Sequence, residues 1–529
     1  MKSRILLSVA CVTLLSSCVA NPGPPPVEEP MPTPEPSATS SAAPTPSRAE
    51  AVIDIGVDPL HSGLNPHLIS DNSSFVESLA GLVLPSAFRD GVMDTDVLTS
   101  AEEVPADRDG VAQSLRYVIA PGAQWSDGTP ITGADFRYMW HGMSDTPAVV
   151  DPAGYHAITG MRVSADGRTV DVDLATAVAE WRDLFSSFLP SHLLQSDASD
   201  FERALADTIP ASAGRYMIRS VDRSRGIITI NRNDRFWGEN PASIDLVNFR
   251  EVRSVTQGAE QLRSGQIGFL DTFPAETSVD AYSIMTGTQV RTVKLERELQ
   301  LSLSTTSTVL ADVAAREELR SLIDVPLIAR IAAGRSSNLR VPDHQPAADA
   351  TFTPALLQSL TAEQPLRLGV NVGDDASAAA GRAIVELLAA RGVKAQIIST
   401  DLPEITGILL PRGRVDAVIT WENTDNSATG LAGEWLCPEA PSSPRAANLS
   451  AYCTPESDAV ARDVLSGIVA PEDASEVFER INEREHVTIP LLGDTRVQVL
   501  GEGIVGPDPN LNNWTSTAAL STVPSWRKL

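Results

Sequence analysis

Lysine is nearly missing from this chain: Lys2, Lys294, Lys394 and Lys528 stand against 37 arginines among 41 basic residues. Arginine keeps its charge and makes no Schiff base, so covalent lysine chemistry is excluded almost everywhere. Positive charge is scarce overall, because 68 Asp and Glu leave a formal charge of −27. So acidic a surface repels phosphate backbones, which excludes a nucleic-acid partner. The seven histidines (His61, His67, His141, His156, His192, His344 and His486) show no metal-ligand spacing, so neither a metal nor a cofactor is expected. P-loop, GxSxG and HExxH motifs are missing too, and no catalysis is expected. No apolar run reaches the 18 residues of a membrane-spanning helix. One GxGxxG occurs, Gly501-Glu502-Gly503-Ile504-Val505-Gly506. It runs into Pro507-Asp508-Pro509, which leaves no helix N-terminus for a pyrophosphate, so it reads as a turn.

The N-terminus is informative. Lys2 and Arg4 precede an eleven-residue apolar stretch, Ile5 to Leu15, too short to span a bilayer and normal for a secretory leader. Leu15-Ser16-Ser17-Cys18 resembles the bacterial lipobox, so cleavage after residue 17 and diacylation of Cys18 are expected. Two acyl chains, at about 0.8 kcal/mol per buried methylene, give stable anchoring on the outer face of the cell membrane. Residues 18–48 follow as a stalk with ten of the 38 prolines, a composition that favours polyproline II and cannot build a core. Of four cysteines, Cys11 leaves with the leader and Cys18 takes lipid. Cys437 and Cys453, fifteen residues between them, are expected to form a disulfide in an oxidising compartment. Trp435 is expected to pack on it.

In the body, Ala51 to Val57 reads as a strand and Ser73 to Leu84 as a helix with Phe75, Leu79 and Leu82 on one face. Ser114 to Ile119 is a strand, and Thr132 with Asp135 starts a helix. Hairpins are expected over 163–174 and 216–231. Later the rhythm changes to a strand at 366–370, a helix over 376–391 stopped by Gly392, and strands at 393–398 and 415–420. That is strand–helix–strand with a right-handed crossover, so the fold class is α/β with hairpins early and parallel units late.

Ser114-Leu115-Arg116-Tyr117, followed by Trp125, Asp127-Gly128, Pro130, Thr132, Ala134 and Asp135, resembles the signature of the family 5, peptide-type extracytoplasmic solute-binding proteins. Gly214-Arg215-Tyr216 and the turn Asn231 to Gly238 extend the resemblance. It implies a bilobal periplasmic-binding-protein-like fold (type II, peptide-binding-protein cluster) with an extra subdomain in lobe I. The expected division is lobe I at 49–297 with an inserted subdomain near 91–204, lobe II at 298–486, and a return to lobe I at 487–529. His61 to Arg89 is similar to a subgroup, the LpqW-type lipoproteins of mycobacteria and corynebacteria. The subgroup implies binding or steering of a mannosylated phosphatidylinositol lipid in envelope glycolipid (phosphatidylinositol mannoside and lipoarabinomannan) assembly. The family at large implies instead the peptide-binding subunit of an ABC importer. The partners implied are a glycolipid or peptide ligand and a membrane glycosyltransferase or ABC permease, with the chain itself a monomer.

Peptide-binding relatives place an Asp three residues after a Trp in the second lobe, to neutralise the peptide ammonium. Here Trp421-Glu422-Asn423-Thr424-Asp425 puts it four residues on, and Ser302 to Thr305 stands where the family has its Asn. Trp421 ends a strand, where cleft residues lie in open α/β sheets, and offers a ring for sugars or peptides. Glu422, Asn423 and Asp425 are candidates for binding hydroxyls or an ammonium, and Asn65 and His67 for the cleft edge.

Overall fold

A computed structural model describes residues 50–194, 198–349, 351–424 and 426–529. The leader, Cys18, the stalk to residue 48 and Asp425 lie outside the described residues.

The early motifs work as local locks. Ser73 accepts from the Val76 amide at 3.2 Å and starts the helix Ser74–Val83. Thr132 and Asp135 form a capping box on Gly133–Asp145: the Thr132 amide donates to Asp135 at 2.9 Å and the Ala134 amide to Thr132 Oγ1 at 3.3 Å. Gly128 carries φ +94° in the turn before it, where Asp127 accepts from the Thr129 amide, a conformation open to glycine at little cost. The Asn231 to Gly238 turn is pinned onto Gly214-Arg215-Tyr216: Asn233 Nδ2 donates to the Gly214 carbonyl and the Asn233 amide to Arg215, both at 2.9 Å.

One ten-stranded sheet organises the body. Val52–Val57 lies between two parallel neighbours, Leu246–Glu251 and Phe269–Thr272. The hairpin Tyr216–Asp222 with Ile227–Arg232 closes this half antiparallel to Leu246–Glu251. In the other half Leu366–Asn371 runs parallel to both Ala395–Thr400 and Ala417–Asn423, joined by the helix Asp375–Ala390 as its composition requires. Two long antiparallel strands, Gln289–Leu303 and Thr488–Leu500, run through both halves. Thr488–Leu500 pairs with Phe269–Thr272 at one end, and Gln289–Leu303 with Ala417–Asn423 at the other. A separate four-stranded antiparallel sheet, Leu98–Val104, Gln113–Ile119, Thr169–Leu174 and Ile158–Val163, packs under Gly133–Asp145.

The buried side chains do not follow chain order. One core gathers Ile55, Trp125, Phe136, Phe185 and Phe249, and a second gathers Leu301, Leu319, Leu368, Ile384 and Ile419. The helices Ala428–Trp435, Pro455–Leu465 and Pro471–Glu485, within the range expected for lobe II, share the first core through Leu431, Val464 and Phe478. Hydrogen bonds fasten them there: the Ala179 amide donates to the Leu465 carbonyl at 2.8 Å and the Ala428 amide to the Glu180 carboxylate at 2.6 Å. Cys437 and Cys453 are bonded, with Cα atoms 4.9 Å apart. Trp435 does not take the disulfide as its main partner. It stacks on Phe478 at 4.6 Å, with Tyr452 edge-on at 6.1 Å. Gly503, at φ +90°, makes the Gly501 to Gly506 stretch a turn.

Candidate ligand cleft

In open α/β sheets the carboxyl ends of parallel strands face the ligand. Here four such ends converge on one cavity of about 370 Å³: Asp58 after Val52–Val57, Phe273 after Phe269–Thr272, Val372 after Leu366–Asn371, and Trp421 near the end of Ala417–Asn423. The long strands cross beside it and contribute Arg297 and Arg496. Lys294 faces Thr495 and Glu298 faces Gly493, so residues 295–297 oppose only Asp494. Arg297 keeps its regular place opposite Asn423 on the other side, and its guanidinium lies 3.9 Å from Asp494 and 5.3 Å above the Trp421 ring.

Trp421 is 8% exposed and tilts 37° against Phe273 at 6.0 Å. Phe273 is 40% exposed and has the Arg496 guanidinium 4.6 Å over its ring. The cleft thus carries an aromatic pair with a guanidinium against each ring, a surface suited to the CH faces of sugars or to peptide planes. Arg496 is buried and bridges Asp58 at 2.5 Å and Asp271 at 2.9 Å. Burial opposes its charge, yet Asp58, Asp271 and Asp494 hold its proton more tightly than usual. Burial pushes Asp58 and Asp494 above the ordinary carboxylate range, against the pull of Arg496. Across the cleft, Glu276 accepts from the Ser336 amide at 2.5 Å and from Ser336 Oγ at 2.9 Å. That contact clasps the wall bearing Phe273 to the one bearing Arg335.

Glu422, one residue past Trp421, walls a small adjoining recess of about 20 Å³ with Asn423, Asp151 and Glu434. Its Oε1 has no hydrogen-bond partner. Desolvation first, then Glu434, pushes its carboxyl well above the usual range, with Arg297 opposing. A carboxyl beside a recess of this kind is placed to meet a ligand's hydroxyl.

Asn65 and His67 do not line this cavity. Asn65 is fully buried, donating to the Phe201 carbonyl at 2.9 Å and accepting from the His67 amide at 3.1 Å. His67 packs near Phe201 and meets the Ser187 carbonyl at 3.0 Å, and burial lowers its pKa to about 4. Both hold the loop after the first strand in place, because a polar side chain in so apolar a setting must bond to nearby backbone. Phe273, Arg297, Arg335 and Arg496 were missed from sequence. Phe273 was findable, as the residue following a short strand, whereas Arg297 lies in the middle of a long strand with no sequence mark.

A cleft walled by the carboxyl ends of two sheet halves, with two strands crossing beside it, defines a bilobal solute-binding protein. Residues 106–436 match the family described as bacterial extracellular solute-binding proteins, family 5 Middle, and the chain belongs to that family. The "Probable monoacyl phosphatidylinositol tetramannoside-binding protein LpqW" of Mycobacterium tuberculosis is 28% identical over 498 residues, covering 82% of this chain and 76% of that one. The oligopeptide-binding protein OppA of Mycobacterium bovis is 28% identical over 279 residues, covering 50% of this chain and 45% of that one. The Bacillus subtilis oligopeptide-binding protein AppA, solved with a nonapeptide, shares the fold at a TM-score of 0.66 and 14% identity, covering 91% of this chain and 99% of that one. These relatives are solute-binding proteins rather than enzymes. No described helix is long and apolar enough to cross a membrane, and the family is extracellular.

Proposed function

We propose that this chain is a lipid-anchored, non-catalytic binding protein that holds or steers a mannosylated phosphatidylinositol intermediate during envelope glycolipid assembly. Anchoring would run through Cys18, and the partner would be a membrane glycosyltransferase. The observation that carries the reading is the reach of the similarity to LpqW, 82% of this chain against 50% for OppA. The cleft chemistry supports it. Phe273 and Trp421 offer ring faces for pyranose CH groups, and Glu422 stands beside them at the adjoining recess. A volume of about 370 Å³ is near the lower end of the range for small-ligand sites, so it takes one portion of a glycolipid.

The second reading is the peptide-binding subunit of an ABC importer, favoured by the OppA match and by AppA's nonapeptide. A thermal-unfolding assay separates the two. Purified mannosylated phosphatidylinositol in detergent should raise the melting temperature, because a ligand held only by the folded state stabilises it. Trp421→Ala and Phe273→Ala should each lose that shift. A shift given by tryptic peptides and not by the mannolipid would reverse the choice. Double substitution of Glu422 and Asp425 tests both sequence candidates, and unchanged binding would remove these residues from the site.

A further inference from the structure

Among the described residues Arg335 forms no ion pair. It follows Gly334, whose φ of 63° ends the helix Val325–Ala333, and it is 6% exposed on the cavity wall. Its Nε and Nη2 are pinned by its own loop, donating to the Ser337 and Asn338 carbonyls at 3.2 Å each. Among the described residues Nη1 donates to nothing, and no carboxylate comes within the 4.0 Å of an ion pair. The acids whose fields reach it are engaged elsewhere: Glu276 with Ser336, and Asp494 beside Arg297. Burial lowers its pKa against the pull of Asp494 and Glu276, as for a cation whose desolvation the more distant carboxylates only partly offset.

Arg496 makes the contrast. It is equally deep, but Asp58 and Asp271 bond to it directly, so it asks nothing of a ligand. A buried guanidinium cannot escape its penalty by losing a proton, and an uncompensated one burdens the fold. Residues that keep such a group in a ligand cavity point to a counter-charge arriving with the ligand. Arg297 adds to this. Its Nη2 donates to the Asn72 carbonyl at 2.5 Å, its ion-pair partner Asp494 is 3.9 Å away, and among the described residues Asp494 Oδ1 has no hydrogen-bond partner.

We propose that Arg335, with Arg297 as a second arm on the same cavity, is the recognition point for an anionic oxygen group of the ligand, a phosphodiester or a carboxylate. The proposal rests on the reading of this cavity as the ligand cleft, and it is independent of which ligand fills it. The headgroup of a phosphatidylinositol lipid and the free end of a peptide both present this chemistry. The Glu276 clasp on Ser336 holds the loop that presents Arg335, so the anion is met when the two walls are joined.

The test is calorimetric titration of the full chain with glycerophosphoinositol, inorganic phosphate, acetyl-trialanine and the amide of that tripeptide, with myo-inositol as the neutral control. Wild-type protein should bind at least one anionic probe and discriminate against its neutral counterpart. Glycerophosphoinositol alone identifies the phosphodiester source, and the tripeptide acid over its amide identifies the carboxylate source. Arg335→Gln should weaken the anionic probe about ten- to a hundredfold, as loss of a charged hydrogen bond does. The same variant without ligand should melt no lower than wild type, which a structural arginine would not allow. Arg335→Lys should recover part of the affinity. Unchanged anion affinity in Arg335→Gln, a ligand-free melting point several degrees below wild type, or no binding of any anionic probe at about 10 mM would each overturn the proposal. Mannolipid binding that survives Arg335→Gln overturns the anion point alone. Arg335-dependent anion binding without any mannolipid binding overturns the glycolipid reading alone.

Discussion

His67 gives the sharpest quantitative test, because two roles for it predict opposite behaviour. Its ring is buried, it meets the Ser187 carbonyl, and its pKa is lowered to about 4 from 6.5. The folded-state pKa lies below the unfolded one. The neutral ring therefore contributes stability that is fully present above pH 6.5 and is lost as pH falls toward 4. A depression of about 2.5 units at 1.36 kcal/mol each, less the partial protonation of the folded ring near pH 4, amounts to about 3 kcal/mol between pH 7 and pH 4. Other groups titrate over the same range, so the quantity to measure is a difference. Urea unfolding of wild type and His67→Gln at both pH values isolates it, since Gln keeps a donor for Ser187 and cannot be protonated. The stability advantage of wild type should shrink by about 3 kcal/mol from pH 7 to pH 4. A pH-independent difference would refute the reasoning and return His67 to the cleft candidates.

Arg496→Met should cost about 3–5 kcal/mol in chemical denaturation, because it strands Asp58 and Asp271. Adding Asp271→Asn should recover part of that, through the coupling expected of groups in contact. Gly214→Ala should cost about 3 kcal/mol: a Cβ there would stand 2.4 Å from the Leu82 carbonyl oxygen, which belongs to backbone that cannot step aside. Replacing Cys437 and Cys453 by Ser should lose about 3 kcal/mol. Limited proteolysis should then cut first in the loop they close, where Arg445 is buried and holds the Pro441 and Ser443 carbonyls.

Elements held by neighbours in sequence were legible. Ser73, Thr132 with Asp135, and Gly392 start or stop helices within a turn of themselves, and the alternation of 169–174 declares a strand against its hairpin partner. Asn65 and His67 misled because polarity after a strand looks the same whether it faces a ligand or caps buried backbone. Asp271 meets Arg496 across 225 residues and Asp58 meets it across 438, so no local pattern carries that cluster. Helices 428–485 follow a strand of one half and pack on the core of the other for the same reason.

By itself, then, the chain declared its near-absence of lysine, its acidity, the α/β order, the disulfide pair and the family signature. Each depends on composition or on contacts a few residues long. Tertiary structure alone decided that Trp421 faces Phe273, that Arg297 lies over the Trp421 ring at the cavity, and that Arg335 is buried there with no ion pair among the described residues. Desolvation is a property of what surrounds a group, and the surroundings of Arg335 come from chain segments far apart in sequence. The few arginines with specific work are therefore set apart from the other thirty-odd by burial and not by spacing.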